Sequence, residues 1–150
     1  MYITNPIKNH KFSRRLDIHL TTNHFEIKNL VDVLYNKYFN IRNKEIIKRH
    51  LKVLLLNLYI AWNTDPKLEI VVYTLPNSHK LVKRYNQAYT IRTFIEVLTI
   101  LRNNNLIGLY KSSESNQKVS YIWTAINLQN YFRKIKFSVF DINQNNEKIV

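Results

Sequence analysis

Apolar side chains recur every three or four residues in three segments of the chain, at 26–38, 44–62 and 91–103. This spacing places them on one face of a helix, so each segment is predicted to form an amphipathic helix. Asn23 followed three residues later by Glu26 resembles a capping box at the start of the first helix. The start of that helix is thus predicted from side-chain chemistry as well as from periodicity.

The polar faces of the predicted helices differ in character. The second helix carries a basic stripe in which lysines recur at every fourth position: Lys44, Lys48 and Lys52. The third presents four polar residues at helical spacing opposite its apolar face: Arg92, Glu96, Thr99 and Asn103. A shorter helix is predicted over 125–134, with three apolar side chains in the core: Ile126, Leu128 and Phe132.

Runs of β-branched and aromatic residues predict three strands, at 69–75, 106–111 and 118–123. The last two are separated by a short polar segment, so they are predicted to form a hairpin with a polar tip. Between the first strand and the third helix, the segment 78–86 is predicted to form a short helix. In chain order these elements are helix, strand, short helix, turn, helix and hairpin, which is the plan of a winged helix-turn-helix.

The length of 150 residues favours a single domain. We predict an α+β fold, mainly α, over residues 25–140, with a winged helix-turn-helix core and extra N-terminal and C-terminal helices. A basic N-terminal arm, 1–24, precedes it, and a polar C-terminal tail, 141–150, follows. Arg14 and Arg15 precede alternating apolar residues, so the sequence leaves open whether they form an edge strand or an arm that enters the minor groove of DNA.

The chain carries 23 Lys and Arg against 10 Asp and Glu, which gives a net charge of +13. Residues 70–140 contain ten basic residues and only two acidic ones. This excess favours attraction to phosphates or to another acidic surface, although the residue usage of an AT-rich genome would also enrich lysine. We interpret the charge as the mark of a polyanionic partner and expect that partner to be double-stranded DNA.

Several function classes are disfavoured by what the sequence lacks. Without Cys there are no disulfides, thiolate zinc sites or Cys nucleophiles. The single glycine, Gly108, excludes glycine-rich phosphate loops, and the histidines never fall at i, i+4 with a carboxylate partner. No stretch approaches the ~18 apolar residues that span a bilayer. We therefore expect a cytoplasmic protein that is not an enzyme, with no cofactor, no metal, no membrane contact and no small-molecule substrate.

The first turn of the third helix is the predicted contact with base edges. In this interpretation residues 90–103 form the recognition helix, in which Arg92 binds guanine and Glu96 accepts a hydrogen bond from cytosine. The alternative for these two residues is an i, i+4 ion pair on a solvated face. Basic side chains on neighbouring elements are expected to contact phosphates. The candidate DNA-binding residues are Lys80, Lys83, Arg84, Thr90, Arg92, Thr93, Glu96, Lys111, Lys118, Arg14 and Arg15.

Five runs of residues in the predicted core share a further pattern: 73–78, 84–86, 90–95, 101–107 and 120–124. Together they resemble the winged-helix domain of bacterial plasmid and phage replication proteins. The resemblance implies that the chain binds an origin or operator through residues 90–103 and the hairpin, and that it acts in replication initiation. A transcription regulator of the winged-helix type fits the length equally well.

Two further hypotheses come from other function classes. An RNA-binding protein would expose aromatic residues beside lysines, and the hairpin offers Tyr110, Tyr121 and Trp123 for this role. A protein-interaction module would dock through the apolar faces of helices 26–38 and 125–134. The first of these helices is also a candidate surface for a homodimer.

Overall fold

The computed structural model of the chain describes residues 13–39, 44–73, 91–112, 119–136, 138 and 142–144. Four α-helices lie in this part of the chain: α1 (Phe25–Leu34), α2 (Lys44–Thr64), α3 (Ile91–Asn103) and α4 (Ile126–Arg133). Six strands accompany them: β1 (Ser13–Arg15), β2 (Leu20–Thr21), β3 (Glu69–Tyr73), β4 (Ile107–Ser112), β5 (Val119–Thr124) and β6 (Asn143–Gln144). The fold of the described residues is therefore α+β and mainly α, as predicted.

α1 begins at a histidine cap. The Nδ1 atom of His24 accepts a hydrogen bond from the backbone N–H of Glu26 at 3.2 Å. The predicted cap at Asn23 is wrong, because the helix starts at Phe25 and the residue directly before it takes the capping position. α1 continues into a π-helical turn, Tyr35–Phe39, so the helical segment ends within one residue of its predicted limit.

α2 is the central helix of the core, and its buried face follows the predicted spacing: Ile47, Leu51, Leu54, Leu55 and Leu58. The amide of Asn57 is buried beside this face and pairs with both backbone groups of Asp17. Its Oδ1 accepts from the Asp17 N–H at 2.8 Å, and its Nδ2 donates to the Asp17 carbonyl at 2.9 Å. Because buried polar groups need partners, this pairing fixes where the N-terminal segment crosses α2.

Four strands form one sheet in the order β1-β3-β5-β4. β1 runs parallel to β3, whereas β5 pairs antiparallel with both β3 and β4. Arg14 pairs with Ile70 and Arg15 with Val71. Of the two alternatives for these arginines, the edge strand is therefore the one that the structure has.

Segments near both ends of the chain belong to the folded unit. Leu16 and Leu20, which the sequence assigned to the basic arm, are buried in the core. Within the predicted tail, β6 pairs antiparallel with β2, and Ile142 next to it is buried. Local periodicity carries no signal for this pairing, because it joins segments from opposite ends of the sequence.

α4 packs against the C-terminal half of α2. Phe132 is buried, and its ring lies 5.1 Å from that of Tyr59 and 5.6 Å from that of Trp62. Leu128 is buried on the same face, one turn earlier. The prediction that Ile126 is buried is wrong, since its side chain is 57% exposed. Two residues before Leu128, it points about 160° away from that face around a helix of 3.6 residues per turn.

The elements α2, β3, α3 and the β4–β5 hairpin follow one another in the predicted order. Both hairpin strands begin and end one residue later than predicted. The predicted short helix 78–86 lies outside the described residues. Among the helices that are described, none is long and apolar enough to cross a membrane.

Candidate nucleic-acid interface

α3 has the two faces that its sequence predicts. Its inner side holds four buried side chains: Phe94, Val97, Leu98 and Leu101. Its outer side holds four exposed ones: Arg92, Glu96, Thr99 and Asn103. Thr93, a further candidate, is half-buried, and the Thr99 hydroxyl donates to the carbonyl of Ile95 at 2.9 Å. The face therefore offers a cation, an anion and an amide to a ligand.

The sequence also allowed Arg92 and Glu96 to form an ion pair with each other. Ion pairs among the described residues join Lys48 to Asp32 and His24 to Glu26, and none joins Arg92 to Glu96. Both side chains are exposed on the same side of α3, one helical turn apart. They are thus placed to meet two adjacent groups of a ligand.

α3 is seated on α2 through an aromatic contact. The ring of Phe94 lies 5.6 Å from that of His50, which is fully buried. Burial lowers the pKa of His50 to about 4, so this imidazole is neutral at physiological pH. His50 therefore adds no charge beneath α3 at this pH.

The turn that ends α3 fixes its direction relative to the hairpin. Asn105 adopts a left-handed conformation with φ of 59°, and its N–H donates to the carbonyl of Arg102 at 3.0 Å. The N–H of the next residue, Leu106, donates to the carbonyl of Leu101 at 2.9 Å, which completes a Schellman motif. Asn105 is not among the residues that the sequence pattern predicted to be functional. The available signal was an Asn directly after a helical pattern, since Asn tolerates the left-handed region better than most residues do.

The same turn is tied to the far end of the hairpin. The backbone N–H of Ala125, just after β5, donates to the carbonyl of Leu106 at 3.0 Å. The side-chain amide of Asn127 donates to the carbonyl of Asn104 at 3.1 Å. α3, β4, β5 and the start of α4 are therefore held together by hydrogen bonds around one turn.

The hairpin carries one described cationic candidate and an aromatic cluster. Lys111 on β4 is exposed and lies opposite the buried Ser120 of β5. On the neighbouring row, Tyr110 is 36% exposed and pairs with the half-buried Tyr121. Trp123 lies across Gly108, where a Cβ atom would overlap its indole ring. The sole glycine of the chain is thus needed for the close approach of this ring.

The described candidates lie on three elements, α3, β4 and β1. Arg92, Thr93 and Glu96 on α3 are followed directly by the strand that carries Lys111. Arg14, half-buried, and Arg15, exposed, lie on β1 at the opposite edge of the sheet. Three strand spacings separate these edges, about 14 Å. The remaining candidates lie outside the described residues: Lys80, Lys83, Arg84, Thr90 and Lys118.

No match to the chain was found among protein-family models, curated proteins or solved structures. Within the described residues, no group of three or more His, Asp or Glu side chains is arranged to hold a metal ion.

Proposed function

We propose that this protein binds double-stranded DNA in a winged-helix arrangement. In this arrangement α3 enters the major groove, and the β4–β5 hairpin lies over the adjoining backbone or minor groove. The observation that carries the proposal is the exposed polar face of α3, joined to the hairpin by the hydrogen-bonded turn at Asn105, in a chain of net charge +13. The order β3-β5-β4 within the sheet supports it.

The chemistry of the α3 face suits base edges. Arg92, in the first turn, has the planar fork that pairs with O6 and N7 of guanine. Glu96, one turn later, accepts from the amino group of cytosine, and each such contact contributes about 1–3 kcal/mol of discrimination. Lys111 supplies a cation for the phosphate backbone, which adds affinity but no sequence preference.

We further propose that this binding serves replication initiation at an origin of plasmid or phage type, because the sequence resembles that group. Transcriptional regulation is the alternative role. A selected site made of direct repeats within a replication origin would favour initiation, and a palindrome upstream of a promoter would favour regulation.

The proposal is tested by selecting bound duplexes from a random pool, followed by affinity measurements on the selected site. Arg92→Ala is expected to relax the preference at one base pair by about 1–3 kcal/mol, because it removes a bidentate contact. Arg102→Ala is the matched control, since Arg102 is an exposed arginine on the same helix, outside its first turn. It should weaken all sequences about equally.

Two results would overturn the proposal. One is the absence of duplex binding at ~50 mM salt, where phosphate contacts are strongest. The other is equal or tighter binding of single-stranded RNA. The exposure of Tyr110 favours RNA as the second candidate, because unpaired bases stack on exposed aromatic rings.

A further inference from the structure

α1 and α2 meet in an antiparallel seam that has three successive rungs. We define the α1–α2 seam by the residues that face each other across it. On one side these are Lys28 and Asp32 of α1 and Tyr35 of the π-helical turn that continues it, and on the other they are Lys52, Lys48 and Lys44 of α2. Successive rungs are one helical turn apart on both helices. All three residues from α2 belong to the basic stripe seen in the sequence.

Two of the three rungs join complementary groups. The Nζ atom of Lys48 lies 2.7 Å from Oδ1 of Asp32. At the next rung two ammonium groups lie over the ring of Tyr35. The Nζ atom of Lys48 is 5.4 Å and that of Lys44 is 5.9 Å from the ring centre. These contacts hold the ammonium groups of Lys44 and Lys48 in place, since cations are attracted to the face of an aromatic ring.

The remaining rung joins two like charges. One turn beyond the Asp32–Lys48 pair, the antiparallel register places Lys28 beside Lys52. Lys28 is exposed and Lys52 is half-buried. Burial lowers the pKa of Lys52, and the positive charge of Lys28 lowers it further. The register set by the Asp32–Lys48 and Tyr35–Lys44 contacts thus places two like charges on facing turns of the two helices, and like charges so placed repel each other.

The two acidic residues of α1 have other partners. Asp32 binds Lys48, as described above. Glu26 accepts a hydrogen bond from the backbone N–H of Lys136 at 2.9 Å. Over residues 25–64 the sequence holds seven basic and three acidic residues, so the surroundings of the rung add positive charge. An anion placed between the two ammonium groups would relieve their repulsion and gain two charge-assisted hydrogen bonds.

We infer that the Lys28–Lys52 rung binds a phosphate group of a nucleic-acid backbone and gives the protein a second DNA contact away from α3. This inference rests on the proposed function, because it supposes the same ligand. Lysine suits the role, since phosphate in a backbone is bound by point charges without a demand for planar geometry.

The Asp32–Lys48 pair of the seam and the Phe94 contact of α3 involve different sides of α2. Lys48 contacts Asp32 of α1, whereas His50, two residues later, contacts Phe94 of α3. Two residues correspond to about 160° around a helix, so α2 holds α1 and α3 on different flanks.

The test compares two double variants of equal charge. Lys28→Gln with Lys52→Gln removes the rung, and Lys67→Gln with Lys134→Gln removes two exposed lysines elsewhere. Duplex affinity is measured across a range of salt concentrations. Losing this phosphate contact should reduce the slope of log K against log [salt] by about 1, with a several-fold loss of affinity. The control should keep the wild-type slope, and equal slopes for the two variants would overturn the inference.

A second readout separates this inference from the proposed function. The side-chain NMR signals of Lys28 and Lys52 are followed while a duplex oligonucleotide, and separately inorganic tripolyphosphate, is added. Binding at the rung should raise the pKa of Lys52, with Lys67 as the unaffected reference. If a duplex binds without moving these signals, the inferred phosphate contact at the rung is overturned and the proposed function stands. Signals that move with tripolyphosphate, in a protein that binds no duplex, overturn both nucleic-acid claims and leave only a phosphate site.

Discussion

At the scale of single residues, the interior contains a histidine where the surrounding positions are apolar. His50 lies on the buried side of α2 with its ring 5.6 Å from that of Phe94. Burial keeps it neutral, with a pKa of about 4 against 6.5 for a free side chain. Its protonation therefore opposes folding, which makes the contact between α2 and α3 sensitive to acid.

The stability of the protein should fall as the pH drops through the interval between these two values. The unfolded chain binds a proton at His50 below pH 6.5, whereas the folded chain does so only near pH 4. The free energy of unfolding therefore has its full value above pH 6.5. Below that pH, protonation of His50 in the unfolded chain lowers it by up to about 1.4 kcal/mol per pH unit. Urea unfolding at several pH values measures it. His50→Leu should lose this component, and His19→Gln, at an exposed histidine, should keep it. The same slope in His50→Leu would contradict the assignment.

A second residue-scale prediction concerns Gly108. Because a Cβ atom there would overlap the indole of Trp123, Gly108→Ala should cost about 1–3 kcal/mol of stability, the usual range for overpacking. Chemical denaturation measures the loss. In a Trp123→Ala background the same substitution should cost much less, since the overlapping ring is gone. Equal costs in the two backgrounds would show that the ring is not the reason for the glycine.

At the scale of elements, local periodicity predicted the helices well. α3 has its predicted bounds, and α2 starts at its predicted residue and runs two residues further. The pattern succeeds there because each helix buries one continuous face. It failed at Ile126, where apolar character alone suggested burial, and at Asn23, where the capping position moved by one residue. The spacing of two residues between Ile126 and Leu128 already places them on opposite sides of a helix, so periodicity weighed above apolar character predicts the exposure of Ile126. The one-residue shift of the cap has no such signal.

Elements that depend on distant partners were the least predictable. The pairing of β1 with β3 and the amide of Asn57 that holds Asp17 join residues far apart in the chain. The sequence offered only an alternation after Arg15 and gave no signal for Asn57. A polar residue at that helix position is typical of a solvated face, and its burial follows only from the segment that crosses it.

The contact at Asn57 makes a prediction about the N-terminal element. Asn57→Ala leaves the backbone of Asp17 without its partners, so it should cost about 1–3 kcal/mol and loosen β1 and the segment that follows. Hydrogen exchange at the Asp17 amide should become much faster, while exchange in α3 changes little. Asn63→Ala is the control, since the exposed Asn63 bonds only within its own helix. Unchanged protection at Asp17 would contradict the role of Asn57 as an anchor.

At the scale of the whole molecule, the sheet order decides which predicted site residues can act together. The sequence correctly predicted an exposed polar face on α3 and a hairpin after it, because both follow from local pattern and chain order. It could not show that Arg14 and Arg15 lie at the edge of the sheet farthest from Lys111, since strand order is set by tertiary packing. The candidate interface is consequently divided, with α3 and β4 on one side and β1 on the other.

The strand order has one more consequence, for the behaviour of the protein in a crowded solution. A sheet ends in two strands whose outer backbone groups can pair with another chain and start aggregation. In this four-stranded sheet both edges carry an exposed cation, Arg15 on β1 and Lys111 on β4, and β1 is only three residues long. Short edge strands and like charges disfavour pairing between copies. The residues that the sequence suggested for DNA therefore also protect the sheet against growth into a polymer.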